Sequence, residues 1–301
     1  MTRRRLAVLG SPIGHSLSPV LHRTAYDLLD LPFDYEAVEV GSGELPAFVA
    51  GLDDRWRGLS LTMPLKREVL PLLDDLSPLA RRLGVANTLV AEGDGRRTGH
   101  NTDVDGIVRS VTAVAPVVAS AVAVAVGQEA RGTPGRTRAT VLGGGATAAS
   151  AIAAVHELGA SRVDLHLRDV SRAGDLVALA DDLGIELVVA PLADLDAALP
   201  RDLVVSTLPG GAADGLLLTP AGPDAVLVDA AYDPWPSRLA EHWRAAGGLA
   251  CSGLDMLVEQ ALGQVRLFSG RRQDEPLPDE AVVRTALRTA VGLDAVPSGR
   301  S

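Results

Sequence analysis

Short apolar runs closed off by turn residues alternate along the chain with amphipathic segments, which predicts strands alternating with helices. Leu6-Ala-Val-Leu-Gly10 predicts a short buried strand, and the turn-rich Ser11-Pro-Ile-Gly-His-Ser-Leu17 follows it. Ser18 can cap a helix whose first position is Pro19 and which runs to about Leu29. Phe33 to Val40 alternates apolar and polar residues, as a half-buried strand does. Glu44 to Gly51 predicts a helix, Gly58 to Met63 a third strand, and Pro64 opens another helix. Thr88 to Val90 and Arg96 to His100, joined by Glu92-Gly-Asp-Gly95, predict a hairpin. Strands interleaved with helices imply a mostly parallel, covered sheet.

Asn101 to about Val111 reads as helix. An Ala/Val-rich stretch from Ala113 can either extend that helix or pack on a neighbour, and Gly127 to Arg138, rich in Gly, Arg, Thr and Pro, reads as a flexible connection. A second module begins at the apolar run Ala139-Thr-Val-Leu-Gly143, with a helix to Leu158 behind it. Strands at Arg162 to Leu167, Glu186 to Ala190, Asp202 to Ser206 and Ala225 to Asp229, with a helix over Arg172 to Leu183, make a doubly wound pattern. Helices near Ser237 to Ala246, Leu254 to Ser269 and Asp279 to Val291 close the chain.

Composition narrows the class. The chain has 301 residues, 47% hydrophobic and 22% charged, which suits a globular protein of about two domains at roughly 150 residues each. Its formal net charge of −10 argues against a duplex nucleic-acid binder. The single cysteine, Cys251, can form neither an internal disulfide nor a thiolate zinc cluster, which fits a cytoplasmic location. The six histidines show no metal-ligand spacing. Leu6 to Gly10 is too short for the apolar part of a signal peptide behind Arg3, Arg4 and Arg5. The longest apolar run, Ala113 to Val126, is broken by Pro116 and Ser120, and a spanning helix needs about 20 apolar residues.

The candidate chemistry sits at predicted element ends. Gly143, Gly145 and Ala148 fit G-x-G-x-x-A between a predicted strand and a predicted helix. In that context the first glycine permits the tight turn and the second lets a pyrophosphate approach. The third, small residue lets helix and strand pack closely. After the next strand comes Leu167-Arg-Asp-Val-Ser-Arg172. Arg168 and Arg172 suit the 2′-phosphate of NADP, whereas Asp169 suits the free ribose hydroxyl of NAD. The balance of two cations against one acid favours NADP; alternatively, the segment is a solvated loop.

In the first module, Ser16 and Ser18 lie two apart and can reach one polyhydroxylated or carboxylated ligand, or Ser18 can simply cap its helix. Ser60-Leu-Thr-Met-Pro-Leu-Lys66 puts a hydroxyl and an amine just past a strand, where open α/β sheets bind ligands. Ala86-Asn-Thr88 and Gly99-His-Asn-Thr-Asp103 add polar residues, of which Asn101 and Asp103 can also serve as caps. His15 and His100 adjoin these residues and are given no role.

Together these residues resemble the shikimate dehydrogenase family, from about Leu6 to about Leu287. The resemblance is carried, in order, by Ser16/Ser18, Thr62-x-Pro-x-Lys66, Ala86-Asn-Thr88, Asn101-Thr-Asp103, the Gly143 turn, Tyr232-Asp-Pro and Gly253-x-x-Met-Leu-x-x-Gln260-Ala. It implies an N-terminal α/β substrate domain over residues 1–105, completed by C-terminal helices (254–291) that return to it. A Rossmann-type doubly wound dinucleotide-binding domain would cover 106–253. It implies that Ser16, Ser18, Thr62, Asn87, Asp103, Tyr232 and Gln260 bind shikimate, with Lys66 and Asp103 as the catalytic pair. It further implies that Gly143, Gly144, Gly145, Ala146, Thr147, Arg168 and Arg172 hold NADP, that Asp169 lies in the same pocket, and that Ala230 and Gly253 border the nicotinamide. The expected partners are small molecules alone, with no nucleic acid and no membrane, in a monomer or homodimer.

Some positions depart from the family's usual residues. Ser60 replaces Asn, with an effect expected on local packing only; Gly-Gly-Gly-Ala-Thr147 replaces Gly-Ala-Gly-Gly-Ala; and Leu167-Arg-Asp169 replaces Asn-Arg-Thr. The connection from Gly106 to Val141 is longer than usual. Asp169 keeps open an NAD-dependent quinate/shikimate dehydrogenase, although Ser18 favours shikimate. A silent shikimate-binding regulator would be expected to lack Lys66 or Asp103, and a methylene-tetrahydrofolate dehydrogenase to lack the serine pair and Gln260.

Overall fold

The computed structural model describes residues 3–115 and 137–293. Among these, residues 3–103 with 257–293 form one compact unit, and residues 104–115 with 137–256 form another. Residues 116–136, which take in most of the Ala/Val-rich stretch and of the predicted connection, lie outside the described residues.

The first unit opens with β1 (Arg4–Gly10), α1 (Ser18–Leu28), β2 (Phe33–Glu39), α2 (Leu45–Ala50), β3 (Trp56–Leu61) and α3 (Leu65–Glu68). It continues with β4 (Asp75–Leu76), α4 (Pro78–Leu83), β5 (Thr88–Ala91), β6 (Arg97–His100) and the first residue of α5 (Asp103–Val114). Its sheet has the order β2-β1-β3-β5-β6-β4, parallel except for β5, which runs against both β3 and β6. β1 is apolar at successive positions because both of its faces are covered. Leu6 and Val8 pack with Leu21, Ala25 and Tyr26 of α1, while Ala7 and Leu9 pack with Leu45, Leu59 and Leu65. Fully burying each of these Leu and Val side chains contributes about 1.5–3 kcal/mol.

One cap differs from the expectation. Leu17 holds the cap position of α1 and Ser18 is already helical, so the Ser18 side chain is not the cap. Ser16 Oγ instead accepts the Ser18 N–H at 3.4 Å. Asn101 does act as expected, accepting the Asp103 N–H at 3.0 Å where α5 begins.

The second unit carries β7 (Thr137–Leu142), α6 (Ala146–Glu157), β8 (Ala160–Leu167), α7 (Gly174–Leu183), β9 (Glu186–Pro191), β10 (Leu203–Ser206) and β11 (Val226–Asp229). After α8 (Arg238–Ala245) and β12 (Leu249–Ser252), α9 (Gly253–Phe268) leads into the first unit, which α10 (Glu280–Ala290) completes. The second sheet is wholly parallel, in the order β12-β11-β10-β7-β8-β9. Strand order therefore reverses between β7 and β10, which is the dinucleotide-binding topology. In the first unit, Val258, Ala261, Leu262 and Val265 of α9 and Val283 and Leu287 of α10 join the cluster around Leu21. Among the described residues, no helix is long and apolar enough to cross a membrane.

Candidate active site

The topology of the first sheet gathers polar residues at one end. Thr62 and Lys66 follow the C-terminal end of β3, and Asn101, Thr102 and Asp103 follow that of β6. Because β5 is reversed, its beginning lies at that same end: Ser60 pairs with Thr88, and Thr88 with His100. Asn87, one residue earlier, is held by its N–H on His100 O at 3.0 Å and by Leu61 N–H on its own carbonyl at 2.8 Å.

Here Lys66 Nζ donates to Asp103 Oδ2 at 2.7 Å. Asn87 Nδ2 donates to the other carboxylate oxygen, Oδ1, at 2.8 Å, and to Thr102 Oγ1 at 2.9 Å. Asn87 Oδ1 accepts the Thr88 hydroxyl at 2.8 Å and the Thr102 N–H at 3.0 Å. Gln260 of α9 brings Oε1 to 3.3 Å from Asn87 Nδ2, and its own Nε2 donates to Leu257 O at 3.2 Å. All of these side chains are buried. An ammonium and a carboxylate so held are oriented before any ligand arrives, and can stabilise or exchange a proton at a nearby oxygen.

Ser16 and Thr62 are partly exposed. Ser18 is buried. His15 is exposed, whereas burial lowers the pKa of His100, with Asp75 partly offsetting it.

In the second unit the candidate residues also follow strand ends. Gly143 follows β7 with a φ of +110°, a left-handed conformation that favours glycine, and any Cβ there would run into Thr207. Gly144 packs on Leu167, whereas nothing lies within 4 Å of a Cβ built on the exposed Gly145. The cap residue of α6, Gly145, has no side chain to cap it, and the helix begins with Ala146 and Thr147 beside that open face. Arg168 and Arg172 are exposed after β8. Arg172 lies in a 3-10 turn, Val170–Ala173, that precedes α7 rather than in the expected start of the helix itself. Asp169 is turned into its own loop, where Oδ1 accepts the Ser171 hydroxyl at 2.6 Å and its N–H at 3.1 Å. Those bonds, with Arg172 adding its charge, hold the Asp169 carboxyl below its ordinary range.

Tyr232 follows β11 in a loop tied at both ends to Asp229. Asp229 accepts Ser237 Oγ at 2.6 Å and Ala231 N–H at 3.3 Å, while its burial raises its own pKa. Burial likewise raises the pKa of the Tyr232 hydroxyl, with Asp233 adding to the effect. Gly253 packs so closely on the Ala230 carbonyl that a Cβ would collide with it.

Sequence reasoning passed over Thr207, whose N–H and hydroxyl both donate to Leu142 O at 2.8 Å where the strand order reverses. It also passed over Gln264 and His22. Ser60, expected to affect only packing, accepts Tyr35 OH at 2.7 Å and donates to Gln264 Oε1 at 2.8 Å. A hydroxyl within reach of two buried polar partners is a bonded link, not a filler. Among the described residues no cluster of His, Cys, Asp or Glu could hold a metal ion.

Comparison with known proteins agrees with this arrangement. The profile of the shikimate dehydrogenase substrate binding domain matches residues 8–89. The shikimate dehydrogenase (NADP(+)) of Methylobacterium radiotolerans is 35% identical over 274 residues, covering 89% of this chain and 92% of that one. The chain belongs to the shikimate dehydrogenase family. Family likeness extends to solved structures: the shikimate 5-dehydrogenase of Mycobacterium fortuitum is 38% identical with a TM-score of 0.74, covering 96% of this chain and 98% of that one. The shikimate 5-dehydrogenase of Thermus thermophilus, solved with NADP(H) and shikimate, is 31% identical with a TM-score of 0.69, covering 95% of this chain and 99% of that one.

Proposed function

We propose that this chain catalyses the reversible, NADPH-dependent reduction of 3-dehydroshikimate to shikimate, a step towards aromatic amino acids. The observation that carries the reading is the buried Lys66–Asp103 pair, oriented by Asn87 at the ligand-binding end of an α/β sheet. In this reading Ser16, Ser18, Thr62, Asn87, Asp103, Tyr232 and Gln260 bind substrate.

The second unit fits a phosphorylated dinucleotide. Gly145 leaves open space beside the start of α6, where N–H groups and the helix dipole favour phosphate. Gly143 and Gly144 shape that turn, and Ala146 and Thr147 present the first helical N–H groups. Arg168 and Arg172 are exposed cations for the 2′-phosphate, and the bonds from Ser171 engage the acid that would repel it. Ala230 and Gly253, in close contact at the ends of β11 and β12, border the nicotinamide. When bound, the cofactor carries hydride to or from substrate C3.

The residues of this chain manage the proton. In reduction, the Lys66 ammonium donates a proton to the oxygen on C3 as the ketone becomes an alcohol; in oxidation, the neutral amine accepts that proton. Asp103 aims the amine and stabilises its charged form. The reading includes a soluble cytoplasmic enzyme, where a buried thiol such as that of Cys251 remains reduced.

The test follows the absorbance of reduced cofactor with shikimate and with quinate, each against NADP+ and NAD+. Shikimate with NADP+ is expected to give the highest kcat/KM. Faster turnover of quinate with NAD+, or none with any pair, overturns the reading.

A further inference from the structure

Asn87 is the hinge of the candidate site, and its own orientation is set from behind. Its Oδ1 accepts the Thr88 hydroxyl, which in turn accepts Gln264 Nε2 at 3.0 Å. Gln264 Nε2 also donates to Asn87 O at 3.2 Å. A backbone carbonyl can only accept, so the amide nitrogen of Gln264 must face it and the amide oxygen must face away. That oxygen meets Ser60 Oγ at 2.8 Å and His22 Nε2 at 3.1 Å.

The same reasoning fixes His22. An amide oxygen cannot donate, so His22 Nε2 carries the hydrogen. Burial keeps the ring neutral, lowering its pKa to about 3 even though the Gln264 hydrogen bond raises it, so Nδ1 accepts Tyr26 OH at 2.8 Å. A second branch enters through Tyr35 OH and Ser60 Oγ. Every hydrogen along Tyr26–His22–Gln264–Thr88–Asn87 therefore points the same way, ending on Asp103 Oδ1. Lys66 holds the other oxygen. If Asn87 turned over, its amide oxygen would face the carboxylate, two acceptors in contact.

We propose that Gln264 is a positioning residue for the Lys66–Asp103 pair, acting through Thr88 and Asn87, with His22 and Ser60 holding its amide in the orientation that does so. Chains of hydrogen bonds aligned in one direction polarise one another, so losing a link weakens the donor that finally reaches Asp103. The inference rests on the dehydrogenase reading above, because Lys66 and Asp103 must act on substrate for their alignment to affect rate.

The experiment compares Gln264→Met, Thr88→Val, Thr88→Ser and the double variant Gln264→Met/Thr88→Val by steady-state kinetics with shikimate and NADP+. Thermal melting and NADP+ titration accompany it. Thr88→Val keeps the volume and removes the hydroxyl; Thr88→Ser restores it. Expected are a fall in kcat of about ten-fold for Gln264→Met and for Thr88→Val, and KM for shikimate within about two-fold of wild type. Recovery in Thr88→Ser, and a double variant no slower than the slower single one, are also expected, because links of one chain do not add. If Gln264→Met does not fold, the contrast between Thr88→Val and Thr88→Ser decides alone. Wild-type kcat in Thr88→Val, additive losses, or an effect confined to KM or melting temperature overturns the positioning role while leaving the dehydrogenase reading intact. An inactive wild type overturns both.

Discussion

Lys66 Nζ lies 2.7 Å from Asp103 Oδ2, with side chains only 11% and 5% exposed. Removing the amine strands a buried carboxylate, which costs about 3–5 kcal/mol for a pair of this kind. It also removes the group assigned to the C3 oxygen, and general acid–base groups contribute about 10²–10⁴-fold. Lys66→Ala should therefore lower kcat by about that factor, with a smaller change in shikimate affinity and a lower melting temperature. Kinetics, ligand titration and melting check this together, and near-normal kcat refutes the assignment.

Gly143 and Gly145 should separate stability from cofactor binding. A side chain at Gly143 meets both a left-handed φ and Thr207, so Gly143→Ala should destabilise the second unit. Gly145 has ordinary backbone angles and open space, so Gly145→Ala should change stability by about 1 kcal/mol or less. Its methyl group would intrude on the face assigned to the pyrophosphate and weaken NADP+ binding. Denaturation and NADP+ titration of both variants measure the contrast; unchanged NADP+ affinity in a folded Gly145→Ala would remove the phosphate from that turn.

The loop after β8 makes a prediction about cofactor choice. Replacing Arg168 and Arg172 together by Ala should reduce NADP+ affinity about ten-fold or more while leaving NAD+ affinity nearly unchanged. Asp169→Thr should sharpen the NADP+ preference, since it removes a negative charge from the same exposed loop. Should wild type prefer NAD+, and Asp169→Thr move it towards NADP+, the acid and not the arginine pair governs the pocket.

What the sequence made legible is local. The Gly143 turn, and the positions of Lys66, Asn87 and Asp103 beside strand ends, follow from apolar runs and the turn residues between them. Elements too short to show a period were missed: β4, α4 and β12 span only Asp75–Leu76, Pro78–Leu83 and Leu249–Ser252. α4 nevertheless carries its own signals, with Ser77 capping Ala80 N–H at 3.2 Å and Gly84 closing it at a φ of +60°. The buried polar chain was illegible for a different reason. His22 and Gln264 are 242 positions apart, and nothing near either residue distinguishes a bonded core amide from a solvated one. Only the return of α9 to the first unit brings them together.

His22 should also leave a signature in the pH dependence of stability. The ring is fully buried, stacked on Tyr35 at 4.0 Å between centroids, bonded to Tyr26 and Gln264, and its pKa is lowered to about 3 from 6.5 by desolvation. Above pH 6.5 the imidazole is neutral in both states and costs folding nothing. As pH falls from 6.5 towards 3, the unfolded chain takes up a proton that the folded chain refuses. Stability contributed by the neutral ring is thus present above 6.5 and lost on acidification, at up to about 1.4 kcal/mol per pH unit. His100, also lowered by burial, acts in the same direction, so the informative quantity is the difference between variants. His22→Phe loses two hydrogen bonds and should be less stable than wild type at pH 8, yet its unfolding free energy should fall less steeply between pH 6.5 and 4. Urea titrations at pH 8, 6.5, 5 and 4 measure both slopes. Parallel slopes would mean that His22 takes up its proton in the folded chain as readily as in the unfolded one, and that burial does not keep it neutral.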